Sequence, residues 1–302
     1  MLDCRAMELL VRPARDRRDY DACVQLQREV WGLSDLEITS AIQLIATVHA
    51  GGLLLVADSP GAGVLGFCYA FAALREGEGH LHSDMLAVKP AARGLGVGLR
   101  LKWAQREEAL RRGLRLVTWT FDPMRAPNAR LNLHHLGAFA RELLPDFYGT
   151  TSSALHHGLA TDRLLVRWDL DHPRVARRRA GEAVCPPGLA ARPALHEVAW
   201  RGGLPVPSPP RLDLEGPELL LEIPDDWDAV CAADAGLARE WQQAVRRAFE
   251  FAFARGYAAA SFVSTREENP RAAYILRKDD PHSSPVAAGS DGSDDHSLHE
   301  PA

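Results

Sequence analysis

At 302 residues, with 46% hydrophobic and 25% charged side chains, the chain is long enough for two domains and apolar enough to bury a full core. Its 35 basic and 40 acidic residues leave a formal charge of −5 at pH 7, which offers no general electrostatic support for nucleic-acid binding. The longest apolar runs, such as "GGLLLVA" from residue 51, are strand-sized and far short of a membrane span.

The N-terminal "MLDCRAMELLVRP" has neither the basic start nor the apolar stretch of a signal peptide, so a cytoplasmic protein is expected. Cys4, Cys23, Cys68, Cys185 and Cys231 are odd in number, scattered and without CxxC spacing. That pattern argues for reduced, mostly buried thiols and against a disulfide framework or a zinc cluster, and no metal is expected. The "RVARRR" cluster at 174–179 reads as a solvated linker.

In chain order, "MELLVRPA" suggests a strand, and "RDYDACVQLQREVW" carries apolar residues at helical spacing. A second short helix fits "ITSAIQLIATVHA", with Thr39 or Ser40 as its cap. "GGLLLVADSPGAGVLGFCYAFAAL" has the form of a hairpin around the turn-rich "DSPGAG". "HLHSDMLAVKP" is the next strand; the segment after it, ending at Gly113, reads as a helix, and "LRLVTWTFDP" as a strand. "NARLNLHHLGA" (128–138) is a short helix, followed by strands around "FARELL" and "DRLLVRWDL".

This alternation predicts a mixed sheet flanked by helices over residues 1–170. Residues 171–211, rich in proline, glycine and arginine, read as a linker or irregular crossover. Order is expected again over 212–278, with "PELLLEIP" and "YAAASFVST" as strands on either side of a long helix, whereas 279–302 has the composition of a disordered tail. A partial internal repeat relates residues 104–131 to 244–274: each has a helix ending in Arg-Gly, then a strand, then an asparagine close to Ala and Arg. The second copy lacks the feature that distinguishes the first.

That feature is "VKPAARGLGVG" (88–98), with glycines at every second position between a strand and a helix. A strand, a glycine turn and a helix N-terminus together present unpaired backbone N–H groups and the positive end of the helix dipole, which suits a phosphate or pyrophosphate. A P-loop would end in Gly-Lys-Ser/Thr, but Gly98 is followed by Leu99 and Arg100. A dinucleotide fingerprint needs G-x-G-x-x-G opening a βαβ unit, and here the spacing is G-x-G-x-G after a hairpin.

The stretch Arg93-Gly94-Leu95-Gly96-Val97-Gly98 after "DMLAVKP" resembles the Arg/Gln-x-x-Gly-x-Gly/Ala motif of the GNAT superfamily of acyl-CoA-dependent N-acyltransferases. In element order the resemblance covers roughly residues 7–170, with 212–278 as a degenerate, partial second copy of the fold. It implies a mostly antiparallel sheet whose loop amides, at Arg93 to Gly98, hold the pyrophosphate of acetyl-CoA or succinyl-CoA. It also implies an oxyanion-binding backbone N–H on the preceding strand, at about Leu86, Ala87 or Val88, with Asn128 and Asn132 beside the pantetheine arm. "SDMLAV", "DP" and "NARLNLHHLGA" in succession are similar to a bacterial GNAT subgroup associated with N-acylamino acid racemases, some of whose members succinylate amino acids.

The chemistry so implied is direct attack of an amine on a thioester, which needs a base, an oxyanion donor and a proton for the leaving thiolate. Asp84 is the first candidate base, on the Leu86/Val88 face if the strand alternates regularly; the resemblance implies a bulge that would break this parity. His82 is the second. The family's usual acid, a tyrosine four residues before the helix-ending glycine, falls on Leu133, and Tyr148 is the substitute candidate. Arg125 and Arg130 could recognise a carboxylate on the acyl group or on an amino-acid acceptor. The reading is therefore an N-acyltransferase acting on a small-molecule amine, monomeric or a homodimer, without nucleic-acid or membrane partners; the alternative is a protein that binds acyl-CoA without turnover.

Overall fold

The computed structural model describes residues 9–149, 157–182, 192–265 and 270–278. The first helix, α1 (Arg17–Trp31), follows strand β1 (Leu10–Pro13); the Asp16 side chain caps it by accepting from the N–H groups of Arg18 and Asp19, and Gly32 stops it in the left-handed region at φ 63. Ser40 caps α2 (Ala41–His49) through the N–H of Gln43. The apolar stripes Tyr20, Cys23, Leu26 and Ala41, Leu44 turn both helices onto one face of the sheet, against Leu54, Val56, Phe67, Tyr69, Met85 and Ala87.

The expected hairpin is β2 (Leu53–Ser59) with β3 (Gly63–Arg75), and β3 pairs in turn with β4 (Glu78–Val88). Helix α3 (Val97–Arg111) returns along the opposite face to β5 (Leu116–Phe121), past Gly113 at φ 79. Next come a single helical turn, α4 (Ala126–Ala129), and a π-helical segment, Arg130–His135, in place of the one regular helix expected over 128–138. β6 (Phe139–Leu144) and β7 (Arg163–Asp169) follow, with β7 paired between β5 and β6.

Residues 173–179 differ from expectation. They form helix α5 (Pro173–Arg179), because Pro173 at its first position, the His172 cap and the core residue Val175 outweigh the charge of the flanking arginines. Within 192–211 the chain makes a short hairpin of β8 (Val198–Arg201) and β9 (Leu204–Pro207).

The C-terminal segment supplies β10 (Glu218–Ile223), α6 (Trp227–Ala233), the long α7 (Ala235–Ala254), β11 (Ala258–Ser264) and β12 (Ala272–Arg277). Leu237, Trp241, Ala244, Val245, Ala248, Phe249 and Ala252 form the buried stripe of α7, on the same face of the sheet as α3. The repeat holds through its first two elements, since Gly256, like Gly113, turns from helix to strand at φ 81. It then diverges: β5 leads into helix, whereas the sequence "AAYILR" after β11 is strand β12.

Among the described residues, ten strands make one mixed, mostly antiparallel sheet in the order β1-β2-β3-β4-β5-β7-β6-β11-β12-β10. The seam between β6 and β11 is a single register pair, Ala140 with Ala259. It is reinforced from the side by the buried Tyr274 of β12, whose hydroxyl donates to the carbonyl of Pro123 at 2.7 Å. No described helix is long and apolar enough to cross a membrane.

Candidate active site

β4 and β5 run parallel but pair only at Leu81 with Val117 and His82 with Thr118. Beyond that vertex β4 continues from Ser83 to Val88 bonded to β3 alone, so its other edge faces a wedge-shaped opening with backbone groups unpaired by sheet. The glycine loop closes the wide end of the wedge. Gly94 and Gly96 have φ 78 and 75, a conformation that side chains resist, and nothing lies within 4 Å of where their Cβ atoms would sit. Gly98 is already helical and has ordinary surroundings. Gly96 caps α3 without a side-chain acceptor, and the first turn of the helix holds no acidic residue. The first N–H groups of α3 therefore have no capping side chain, an arrangement that suits an anionic group. Arg93 is exposed beside them, Leu95 is half-buried and Val97 is anchored in the core.

β4 carries the bulge that the resemblance implies, and it breaks the regular parity at Asp84. Tyr69 of β3 pairs with Met85 and Phe71 with His82, so β4 carries one extra residue in the interval His82–Met85. The bulge puts Leu81 and Leu86 against the α3 side and Met85 against the α1 side, and leaves Asp84 as part of the irregularity. The Asp84 carboxylate reaches solvent and makes no hydrogen bond or ion pair among the described residues, and desolvation by the surrounding protein raises its pKa. Leu86, Ala87 and Val88 follow it along the unpaired edge.

His82 lies at the vertex, with Nδ1 2.9 Å from Oγ1 of Thr118 and its ring 5.1 Å from that of Phe71. Burial, reinforced by His80 and Lys102, lowers its pKa to about 4, so the imidazole is neutral at physiological pH. Two residues further along β5, Thr120 meets the hydroxyl of Tyr148 at 3.3 Å, and the Arg163 guanidinium lies 5.0 Å from the centre of the tyrosine ring. Val117, Trp119 and Phe121 point into the core, so Thr118 and Thr120 share the opposite face. His82, Thr118, Thr120 and Tyr148 thus form one polar row along that face of the opening.

The core face of the vertex holds a group that the sequence reading missed. Lys102 of α3 is 2% exposed, and its Nζ donates to Oγ of Ser83 at 3.1 Å and to Oε1 of Gln105 at 2.6 Å while sitting 3.7 Å from the ring centre of Trp119. Ser83 and Trp119 are the first residues past the vertex on β4 and β5. No carboxylate pairs with Lys102 among the described residues, and desolvation lowers its pKa to about 8. A signal was available: Gly98, Lys102, Gln105 and Ala109 fall at i, i+4, i+7 and i+11, so two polar side chains share a buried stripe.

Of the remaining candidates, Asn132 is buried in the π-helical segment and Asn128 is exposed at the end of α4. Leu133, at the usual tyrosine position, is fully buried core. Arg125 bonds both carboxylate oxygens of Asp228 in α6 at 2.7 Å and approaches Asp122, so its charge is balanced within the protein. Among the described residues no group of three or more His, Cys, Asp or Glu could hold a metal ion. Cys68 is buried beside Ser83, and desolvation raises its pKa.

Residues 20–137 match the family model described as "Acetyltransferase (GNAT) family". No curated protein matches the sequence. Solved structures to which the chain is similar include an acetyltransferase of the GNAT family from Desulfovibrio desulfuricans, with 18% identity, 54% of this chain and 99% of that chain covered, and a TM-score of 0.43. An acetyltransferase from Salmonella typhimurium, solved with acetyl-CoA, has 21% identity over 55% of this chain and 95% of that one, with a TM-score of 0.42. The ribosomal-protein-S18-alanine N-acetyltransferase of Escherichia coli has 14% identity over 60% and 99%, with a TM-score of 0.42. The family match falls on the part of the chain that carries the parted strands and the glycine loop, so residues 20–137 are similar to GNAT-family acetyltransferases where the site is formed.

Proposed function

We propose that the chain transfers an acetyl or succinyl group from acyl-CoA to the primary amine of a small molecule, with amino acids as the favoured acceptor class. The observation that carries this reading is the parting of β4 and β5 immediately before the uncapped N-terminus of α3. Arg93 to Gly98 and the first turn of α3 would hold the pyrophosphate, and Leu86 to Val88 with Asn128 and Asn132 the arm that leads to the thioester. The likeness of "SDMLAV" and "NARLNLHHLGA" to the racemase-associated subgroup supports the amino-acid acceptor and the succinyl alternative.

In the proposed reaction the ammonium of the acceptor gives a proton to Asp84, directly or through water, with neutral His82 as the alternative base. The freed amine nitrogen attacks the thioester carbonyl, a backbone N–H of β4 stabilises the oxyanion, the C–S bond breaks as the oxyanion collapses, the nitrogen sheds its second proton to water, and the thiolate takes a proton. Tyr148 is the donor proposed for that last proton, because its hydroxyl lies on the row that begins at His82. Residues 1–170 would be the catalytic unit and 212–278 a partial second copy that completes its acceptor side. A cytoplasmic location and a monomeric or homodimeric state belong to the same reading.

Thiol release from acetyl-CoA and succinyl-CoA against a panel of amino acids and simple amines tests the proposal; amine-dependent release supports it. The buried leucine at position 133 favours the rival, binding without turnover. Tight CoA binding with no release for any acceptor would support that rival.

A further inference from the structure

Three segments border the open end of the parted strands: 122–125 after β5, 146–148 after β6, and 157–162 before β7. The first and the third are tied to the C-terminal region by side chains, and the second is bonded to the third. Tyr274 of β12 donates to the Pro123 carbonyl, and Asp228 of α6 accepts from Arg125 and lies 2.9 Å from Nε2 of His157. On α7, Gln242 donates to the Ala160 carbonyl at 2.6 Å, and Arg246 makes a two-pronged pair with Asp162 at 2.6 and 2.9 Å.

The Asp162 side chain is 2% exposed, and it faces two ways. Besides Arg246, its Oδ1 accepts from the backbone N–H of Asp146 at 3.0 Å. Asp146 in turn accepts from the N–H of Thr161 at 2.9 Å, and Oγ1 of Thr161 accepts from the N–H of Tyr148 at 2.8 Å. Asp146 itself sits at φ 45, a left-handed conformation that a non-glycine residue holds only when its surroundings fix it. The chain of bonds thus runs from α7 to the turn that carries Tyr148, and Tyr148 reaches Thr120 inside the opening.

We propose that Arg246 is a positioning residue for the acceptor side of the site, holding Tyr148 in place through Asp162 and the 146–148 turn. On this account α7 is more than a scaffold retained from a partial repeat: it makes the N-terminal site dependent on the C-terminal region. The proposal rests on the acyltransfer reading only for the kinetic consequence; the mechanical link from Arg246 to Tyr148 stands apart from it.

The test uses the full chain. Arg246→Met alone would leave Asp162 buried and unpaired, so the informative variant is Arg246→Met with Asp162→Asn, in which the asparagine oxygen can still accept from Asp146 while the strut to α7 is gone. Amide hydrogen exchange at Asp146, Tyr148 and Thr161 should quicken by about tenfold or more, with β2 and β3 unchanged. Acceptor KM should rise or kcat fall at unchanged acetyl-CoA affinity, and Arg246→Lys, which keeps one charged contact, should recover part of the effect. Unchanged exchange at these amides in the double variant overturns the proposal. So does faster exchange with acceptor kinetics equal to those of the unsubstituted protein. Exchange needs no turnover, so a failure of the acyltransfer reading would show separately, as absent thiol release in the unsubstituted chain.

Discussion

Lys102→Met removes the buried cation at the vertex while keeping a long, flexible side chain to fill the space. In the folded protein the ammonium has a pKa of about 8 against an ordinary 10.5. At about 1.4 kcal/mol per pKa unit, carrying the charge costs the fold about 3 kcal/mol below pH 8. The variant escapes that cost but strands Oε1 of Gln105 without its donor, a loss of about 1–3 kcal/mol. The two effects nearly cancel, so Lys102→Met should lie within about 2 kcal/mol of the unsubstituted protein at pH 7.

The pH dependence separates the two. Between the folded and unfolded pKa values the unfolded chain holds the extra proton, so this group adds stability as pH rises from about 8 towards 10.5. Urea unfolding at pH 7 and pH 9.5 should therefore show the unsubstituted protein gaining about 2 kcal/mol relative to the variant. If the difference between the two proteins is the same at both pH values, or if the variant loses more than about 4 kcal/mol at pH 7, Lys102 is not a costly buried charge. A group kept at such a cost beside the parted strands should also serve the reaction, and kcat in the variant is expected to fall by about tenfold or more.

The other predictions concern the base, the vertex and the packing. Asp84→Asn should lower kcat by about 10² to 10⁴ with acetyl-CoA affinity unchanged, and His82→Gln should do less; the reverse order in steady-state kinetics would move the base to His82. The His82 ring proton, followed by NMR, should titrate near pH 4, and a midpoint near pH 6.5 would contradict its desolvation. Gly66→Ala should destabilise by about 1–3 kcal/mol in urea unfolding, because its Cβ would stand 2.6 Å from the Ala87 carbonyl oxygen and within 3.3 Å of Val97; an unchanged stability would mean that β3 and β4 are not held this close.

Where local chemistry alone decides the outcome, the sequence was readable. The cap at Ser40, the turn around "DSPGAG", the stops at Gly113 and Gly256 and the glycine loop each depend on a few adjacent residues. The loop could be read because Gly94 and Gly96 need a backbone conformation that other residues resist. What failed depends on partners far along the chain. The parity of Asp84 is set by the register of β3 against β4, so the bulge was legible through the family resemblance and not from the residues beside Asp84. Helix α5 was read as linker because its arginines hide the single core contact, Val175, that fixes it. Tyr148 could be named as a candidate from type and position, but Thr120, Thr161 and Asp162, which hold it, lie 28 residues before it and 13 and 14 residues after it and become its neighbours only when β7 inserts between β5 and β6. Arg125 was read as a ligand for a carboxylate and does bind one, but it is Asp228, 103 residues away in its own chain.

The central claim is that acyl-CoA lies in the opening between β4 and β5 with its pyrophosphate on the glycine loop. Calorimetric titration of acetyl-CoA into three proteins tests it most directly: the unsubstituted chain, Gly96→Glu and Gly61→Glu. Gly61 has φ 80 and open surroundings like Gly96 at φ 75, but it sits in the turn between β2 and β3, so both substitutions impose the same backbone strain and the same charge. The account predicts binding to the unsubstituted chain and to Gly61→Glu, and a loss of affinity of at least about tenfold in Gly96→Glu alone. Equal affinity in all three proteins, or no binding to the unsubstituted chain, would contradict it.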